Sequence, residues 1–219
     1  MPAESRGEGT GGMERLKMYW RRQPIGSPVW PDGFCARPFD GSKDDMERWL
    51  VICKEGLLGP DAGEPEFRRS MLEHPDLDTR NIVLVEKDGE PAATITAVVH
   101  PLQSLGYIHM AACREKFRGY GLSQPMNTAA LGVIWDAGCR GAYLTTDDFC
   151  TQAIRSYLRA GFLPVLYQED MAQRWAVVLQ GMGIHNVRAL SETGDFLQLL
   201  LPGVDTAPAL IKERKRTPQ

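Results

Sequence analysis

Residues 105–123 read Leu105-Gly106-Tyr107-Ile108-His109-Met110-Ala111-Ala112-Cys113-Arg114-Glu115-Lys116-Phe117-Arg118-Gly119-Tyr120-Gly121-Leu122-Ser123. Gly106 to Cys113 has the apolar and aromatic character of a β-strand. A basic, Gly-rich turn follows. Beyond it, Met126, Ala130, Leu131, Ile134 and Trp135 recur at helical offsets, and Gly138 closes the helix. Strand, glycine turn and helix in this order form the first half of a β-α-β unit.

Toward the C-terminus, Ala142 to Thr146 supplies the second strand of that unit. Thr151 to Ala160 is a helix with Ala153, Ile154, Tyr157 and Leu158 on one face, stopped by Gly161. Phe162 to Tyr167 reads as a short strand. Asp170 then caps a helix carrying Ala172, Trp175, Ala176, Leu179 and Met182. Toward the N-terminus, Ile82-Val83-Leu84-Val85 and the β-branched run Ala92 to Val99 flank an Asp88-Gly89 turn, a hairpin signature. Before them come a helix opened by Pro65 and Glu66, a helix capped at Ser42 and a short strand, Phe34 to Phe39. The expected fold class is α/β, with a mostly antiparallel mixed sheet flanked by helices, in a domain spanning residues 33–183. Residues 1–12 read as a disordered leader. Residues 13–32, which mix aromatics with Pro and Gly, are expected to wrap the surface. Residues 184–219 form an extension, expected to be largely helical, with a basic tail at Lys212 to Arg216. In it, Phe196 to Leu201 is apolar enough to pack as strand or helix.

The glycine turn carries the chemistry. Gly119 and Gly121 permit a tight turn with no Cβ in the way, so several backbone N–H groups can converge on one point. The helix start behind them adds partial positive charge, and Lys116 and Arg118 add formal charge. The result is a cradle for a diphosphate, although an ordinary strand-to-helix turn holds two glycines equally well. A dinucleotide fingerprint is excluded, because the third position after Gly121 is Gln124. A Walker loop is excluded too, because no Gly-Lys-Ser/Thr follows.

About 36 residues beyond Gly121, Tyr157 sits in Ala153-Ile154-Arg155-Ser156-Tyr157-Leu158-Arg159-Ala160-Gly161-Phe162. With both motifs in this order, the stretch from Gly33 to Tyr167 resembles the GNAT superfamily of acetyl-CoA-dependent N-acetyltransferases. That family pairs a Q/R-x-x-G-x-G/A turn with a downstream A-x-x-x-Y-x-x-x-G-F segment. The residues Gly106-Tyr107-Ile108-His109 and Tyr143-Leu144-Thr145-Thr146-Asp147 are similar to its mycothiol synthase-like branch. The resemblance implies acetyl transfer from acetyl-CoA to a primary amine, by direct attack in a ternary complex. Backbone groups of Met110, Ala111 and Ala112 would hold the pantetheine arm. Lys116, Arg118, Gly119, Tyr120, Gly121, Leu122 and Ser123 would hold the pyrophosphate. Tyr157 would protonate the departing thiolate. Three positions depart from the pattern. Lys116 replaces the usual Gln or Arg, Cys150 stands where many members place an Asn that contacts CoA, and Thr145 stands where some carry a glutamate base.

An attacking amine must lose its proton. Alternation along residues 105–112 puts Leu105, Tyr107, His109 and Ala111 on one face, beside the pantetheine-binding backbone. An imidazole titrates near neutral pH, which makes His109 the candidate base, and a buried structural histidine is the alternative. Asp147 and Asp148 are the second choice; helix capping explains them as well.

Composition bounds the rest. The 219 residues carry 25 Lys and Arg against 28 Asp and Glu, a net charge of −3, which gives no sign of nucleic-acid binding. No apolar run is long enough to span a bilayer and no secretory signal opens the chain. Five cysteines without C-x-x-C and four scattered histidines argue for a reducing, cytoplasmic setting and against a structural metal. The expected partners are acetyl-CoA and an amine-bearing small molecule or peptide. Oligomeric state is left open, a homodimer included. The rival reading is a non-catalytic acyl-CoA sensor or interaction module.

Overall fold

The computed structural model describes residues 14–202. The leader and the basic tail expected at the two ends lie outside the described residues. The main body is a seven-stranded mixed sheet in the order β2-β3-β4-β5-β6-β1-β7. Its strands are β1 (Leu16–Arg21), β2 (Phe34–Pro38), β3 (Ile82–Lys87), β4 (Glu90–His100), β5 (Leu105–Cys113), β6 (Gly141–Thr146) and β7 (Phe162–Pro164). All pairings are antiparallel except β5 with β6. The β3–β4 hairpin turns through Asp88 (φ 52°) and Gly89 (φ 80°), the two left-handed residues that its Asp-Gly sequence calls for.

One face of the sheet carries α3 (Ser123–Asp136), α4 (Thr151–Arg159) and α5 (Met171–Gly181), packed on a large apolar core. Gly106 allows the close approach of α3: a Cβ there would lie within 2.7 Å of three side-chain carbons of Ile134. The other face is covered by α1 (Lys43–Cys53) and α2 (Glu64–Phe67), whose Trp49, Cys53 and Phe67 form a second core with Ile82 and Leu84. Ser42 caps α1 through the Asp45 N–H. The buried Asp45 carboxylate takes two 2.6 Å hydrogen bonds from Arg37 and one from the Asp40 N–H. The Arg37 guanidinium holds this carboxyl down at about 2. α2 continues as one π-helical turn, Arg68–Leu72.

Three expectations are corrected. Residues 16–21 do not wrap the surface: β1 lies inside the sheet, antiparallel to both β6 and β7. Leu16, Met18 and Trp20 are fully buried and Tyr19 nearly so, because both faces of this strand are covered. A strand covered on both sides shows no alternation, and the Pro- and Gly-rich loop behind it masked a short apolar run. Beyond α5 the described chain is not the helical extension expected, and Phe196–Leu200 is a strand, one of the two forms its apolar run allowed. β8 (Val187–Leu190) and β9 (Phe196–Leu200) form a separate hairpin. The third correction lies in β5. Its register against β4 shifts so that Ile95 stands opposite both Met110 and Ala111, a β-bulge, and Met110 takes φ 48°. The bulge breaks the alternation, so Ala111 packs toward the α3 side with Ile108, while Met110 and Ala112 pack toward α1.

Candidate active site

Parallel pairing of β5 with β6 is confined to Leu105–Gly141, Gly106–Ala142 and Tyr107–Tyr143, yet β5 runs on to Cys113 and β6 to Thr146. The strands therefore part after the two tyrosines. At the bulge, Met110 and Ala111 lie outside the regular register with β4 and beyond the stretch paired with β6, so the backbone there borders the gap between β5 and β6.

The turn at the end of β5 has the shape its glycines require. Gly119 (φ 87°) and Gly121 (φ 82°) are both left-handed, and a Cβ at either would point into open space. α3 starts just behind, with Leu122 as N-cap, no side-chain cap and no acidic residue in its first turn. The uncapped amides there suit a diphosphate. Leu122 is buried, so its side chain belongs to the core and only its backbone faces the cradle, whereas Ser123 is exposed. Tyr120 lies over Phe34 and receives the Lys87 ammonium on its ring. The two basic side chains are less free than the sequence suggests. Lys116 pairs with Glu90, and Arg118 donates to the Glu55 carbonyl at 3.1 Å. Arg118 donates to the Cys113 and Glu55 carbonyls, and its charge also lowers the Glu55 carboxyl pKa.

Tyr157 projects from α4 with its ring edge-on to Phe162. Burial, aided by the neighbouring Cys150 thiol, pushes its phenol up to about 12 against the opposing pull of Arg15. It stays protonated at physiological pH, as a proton donor must. Cys150 is the N-cap residue of α4 and provides no side-chain cap.

His109 faces the α1–α2 side. Its Nε2–H donates to the Ser70 carbonyl at 2.9 Å, which leaves Nδ1 as the acceptor. Desolvation lowers its pKa, only partly opposed by the Ser70 bond, with His74 lowering it further. A neutral imidazole at neutral pH is the state a base requires. Asp147 and Asp148 are both committed elsewhere. Arg15 grips Asp147 with two 3.1 Å bonds and also reaches Thr145, and Arg174 holds Asp148 at 2.6 Å.

Sequence reading put Tyr107 on the face of His109 but missed the further rings that join them. His74 lies 4.6 Å from His109, Tyr107 stacks on Tyr143 at 4.8 Å, and the Tyr143 hydroxyl reaches His100 Nε2 at 3.3 Å. His100 Nδ1 in turn contacts Asp76 at 2.9 Å. Tyr107 beside Tyr143 was findable, since a β-α-β crossover sets these strands side by side. His74 and Asp76 come from a remote turn and left no local signal.

Comparison with known proteins places the fold in a family. The model of the acetyltransferase (GNAT) family matches residues 43–162. A mycothiol acetyltransferase of Cellulomonas flavigena is 24% identical over 179 residues, 74% of this chain and 51% of that protein. One from Thermobispora bispora is 26% identical over 176 residues, 74% of this chain and 59% of that protein. The chain thus spans little more than half the length of these relatives. Among solved structures, a GCN5-related N-acetyltransferase from Sphaerobacter thermophilus superposes with a TM-score of 0.55 at 23% identity, covering 69% of this chain and 49% of that one. With the family model matched across the glycine turn and the Tyr157 helix, the chain belongs to the GNAT family of acetyltransferases.

Proposed function

We propose that this chain transfers an acetyl group from acetyl-CoA to a primary amine held on the sheet face of Tyr107, His109 and Tyr143. The observation that carries the reading is the parting of β5 and β6 beside an uncapped helix start. The gap suits a pantetheine arm and the turn suits its diphosphate. Met110, Ala111 and Ala112 would meet the arm through backbone groups, and residues 118–123 the diphosphate. Cys150 would line the arm where the family often has Asn. In the reaction, the amine nitrogen attacks the thioester carbonyl and its proton goes to His109 Nδ1. The C–S bond breaks and the Tyr157 hydroxyl gives its proton to the thiolate.

The names of the relatives put mycothiol chemistry first among acceptor classes. A reducing, cytoplasmic setting accords with five free cysteines. Among the described residues no helix is long and apolar enough to cross a membrane, and no His, Cys, Asp and Glu cluster could hold a metal. The test is acetyl-CoA titration by calorimetry, followed by a thiol-release assay over an amine panel that includes mycothiol precursors. Binding plus turnover on an amine supports transfer. Tight binding with no turnover on any amine supports the non-catalytic acyl-CoA module instead, a reading favoured by the absence of a carboxylate at Thr145.

A further inference from the structure

We propose that His74 is a positioning residue for His109, and that the turn from Ser70 to Pro75 fixes both imidazoles as complementary neutral tautomers. This rests on the acetyl-transfer reading, with His109 as base. The π-helical turn sends the Glu73 N–H back to the Arg68 carbonyl, five residues earlier. In the same pattern the Ser70 carbonyl would receive residue 75. That residue is Pro75, which has no N–H to give. The Ser70 oxygen is left to accept the His109 Nε2–H at 2.9 Å. The Pro75 carbonyl accepts the His74 Nδ1–H at 2.8 Å. A carbonyl only accepts, so each bond fixes a proton: His109 keeps Nδ1 as its lone pair and His74 keeps Nε2.

The two rings lie 4.6 Å apart with a 41° tilt, and Tyr107 packs against both. At that separation His74 is close enough to make a second charge on His109 unfavourable, and it lowers the His109 pKa. The other groups on this side do not compete. α1 presents Trp49 and Cys53 to this core; Arg68 and Arg69 pair with Glu64 and Glu66. Tyr143 and Asp76 engage His100, one ring further along. His74, half-exposed at the edge, acts on His109 in two ways: it buttresses the ring, and its electrostatic influence lowers the His109 pKa.

The experiment combines imidazole ¹⁵N NMR with kinetics on the parent, His74→Phe and His74→Gln. In the parent, His109 shows the Nε2–H tautomer and His74 the Nδ1–H tautomer. His74→Phe keeps an aromatic buttress and removes the charge. His109 then titrates at higher pH. The acid limb of kcat/KM moves up with it, while acetyl-CoA affinity is unchanged. His74→Gln removes the buttress as well and adds a several-fold fall in kcat. An unchanged His109 titration in His74→Phe, or an Nδ1–H tautomer of His109 in the parent, overturns the proposal. The NMR arms need no turnover. If no amine is acetylated, the transfer reading falls while the NMR arms still decide the histidine pairing.

Discussion

The two halves of the cleft are made from different materials. The half beside α3 is built from backbone: two left-handed glycines, a bulge at Met110 and an uncapped helix start. The half facing α1 and α2 is built from side chains: His74, Tyr107, His109, Tyr143 and His100, drawn from distant parts of the chain. Backbone recognition needs particular φ angles, and so writes a glycine pattern into a short stretch of sequence. Side-chain recognition needs only that remote residues meet.

The sharpest test of the backbone half is Gly121→Glu. A non-glycine residue is disfavoured at φ 82°, and a carboxylate would project into the open space where the diphosphate is expected. Acetyl-CoA binding by calorimetry is expected to weaken by on the order of 10³-fold or more, with the fold retained by circular dichroism. A folded variant that binds like the parent would move the cradle elsewhere.

Tyr157→Phe separates chemistry from binding. It removes one oxygen and keeps the ring that packs on Phe162. A drop in kcat of about 10²–10⁴-fold, with the acetyl-CoA dissociation constant preserved, is the signature of a lost proton donor. Unchanged turnover would mean that the thiolate leaves unaided or through water.

What the sequence disclosed follows the same division. The hairpin around Asp88-Gly89, the helix after Gly121 and the Tyr157 helix were all legible, because turn chemistry and 3.6-residue periodicity are local properties. β1 was not, because Leu16 to Trp20 is buried on both faces and shows no alternation. Nor was the side on which Ala111 lies, because a bulge is set by pairing with β4 rather than by β5 alone. The strand and sheet face of His109 could be read from its neighbours. Its tautomer could not, since that is set by Ser70 in another element.

The wall of the side-chain half is held by a third kind of contact, the buried Asp45–Arg37 pair joining α1 to β2. Asp45 has its carboxyl at about 2, below the ordinary value of 3.8. The pair therefore stabilises the fold fully above pH 4, and loses that contribution as pH falls from about 4 toward 2. The shift corresponds to on the order of 2 kcal/mol. Asp45→Asn should lower Tm at pH 7 by roughly 4–8 °C, and the gap to the parent should close near pH 2. A gap that persists in acid would assign the loss to packing rather than charge.

The smallest effect is expected at Lys116, and it bears most directly on the contrast between the two halves. Family likeness assigns this position to the diphosphate, so a side-chain account predicts a large loss on its removal. The geometry predicts otherwise. The Lys116 ammonium is paired with Glu90 and lies over the Phe117 ring, so reaching a diphosphate means leaving both. That ion pair is half-exposed and screened by water, so it contributes little to the fold. Meanwhile the amides of residues 119–123 stay in place whatever stands at 116. Lys116→Ala should therefore weaken acetyl-CoA by no more than about threefold in calorimetry, with little salt dependence of the difference, because the ammonium is engaged by Glu90 and not by the ligand. Lys116→Ala paired with Glu90→Ala removes the competing carboxylate along with the cation and should bind as the parent does. A loss of tenfold or more in the single variant, growing as salt is lowered, would show the ammonium swinging onto the ligand, and the cradle would then be half side chain after all.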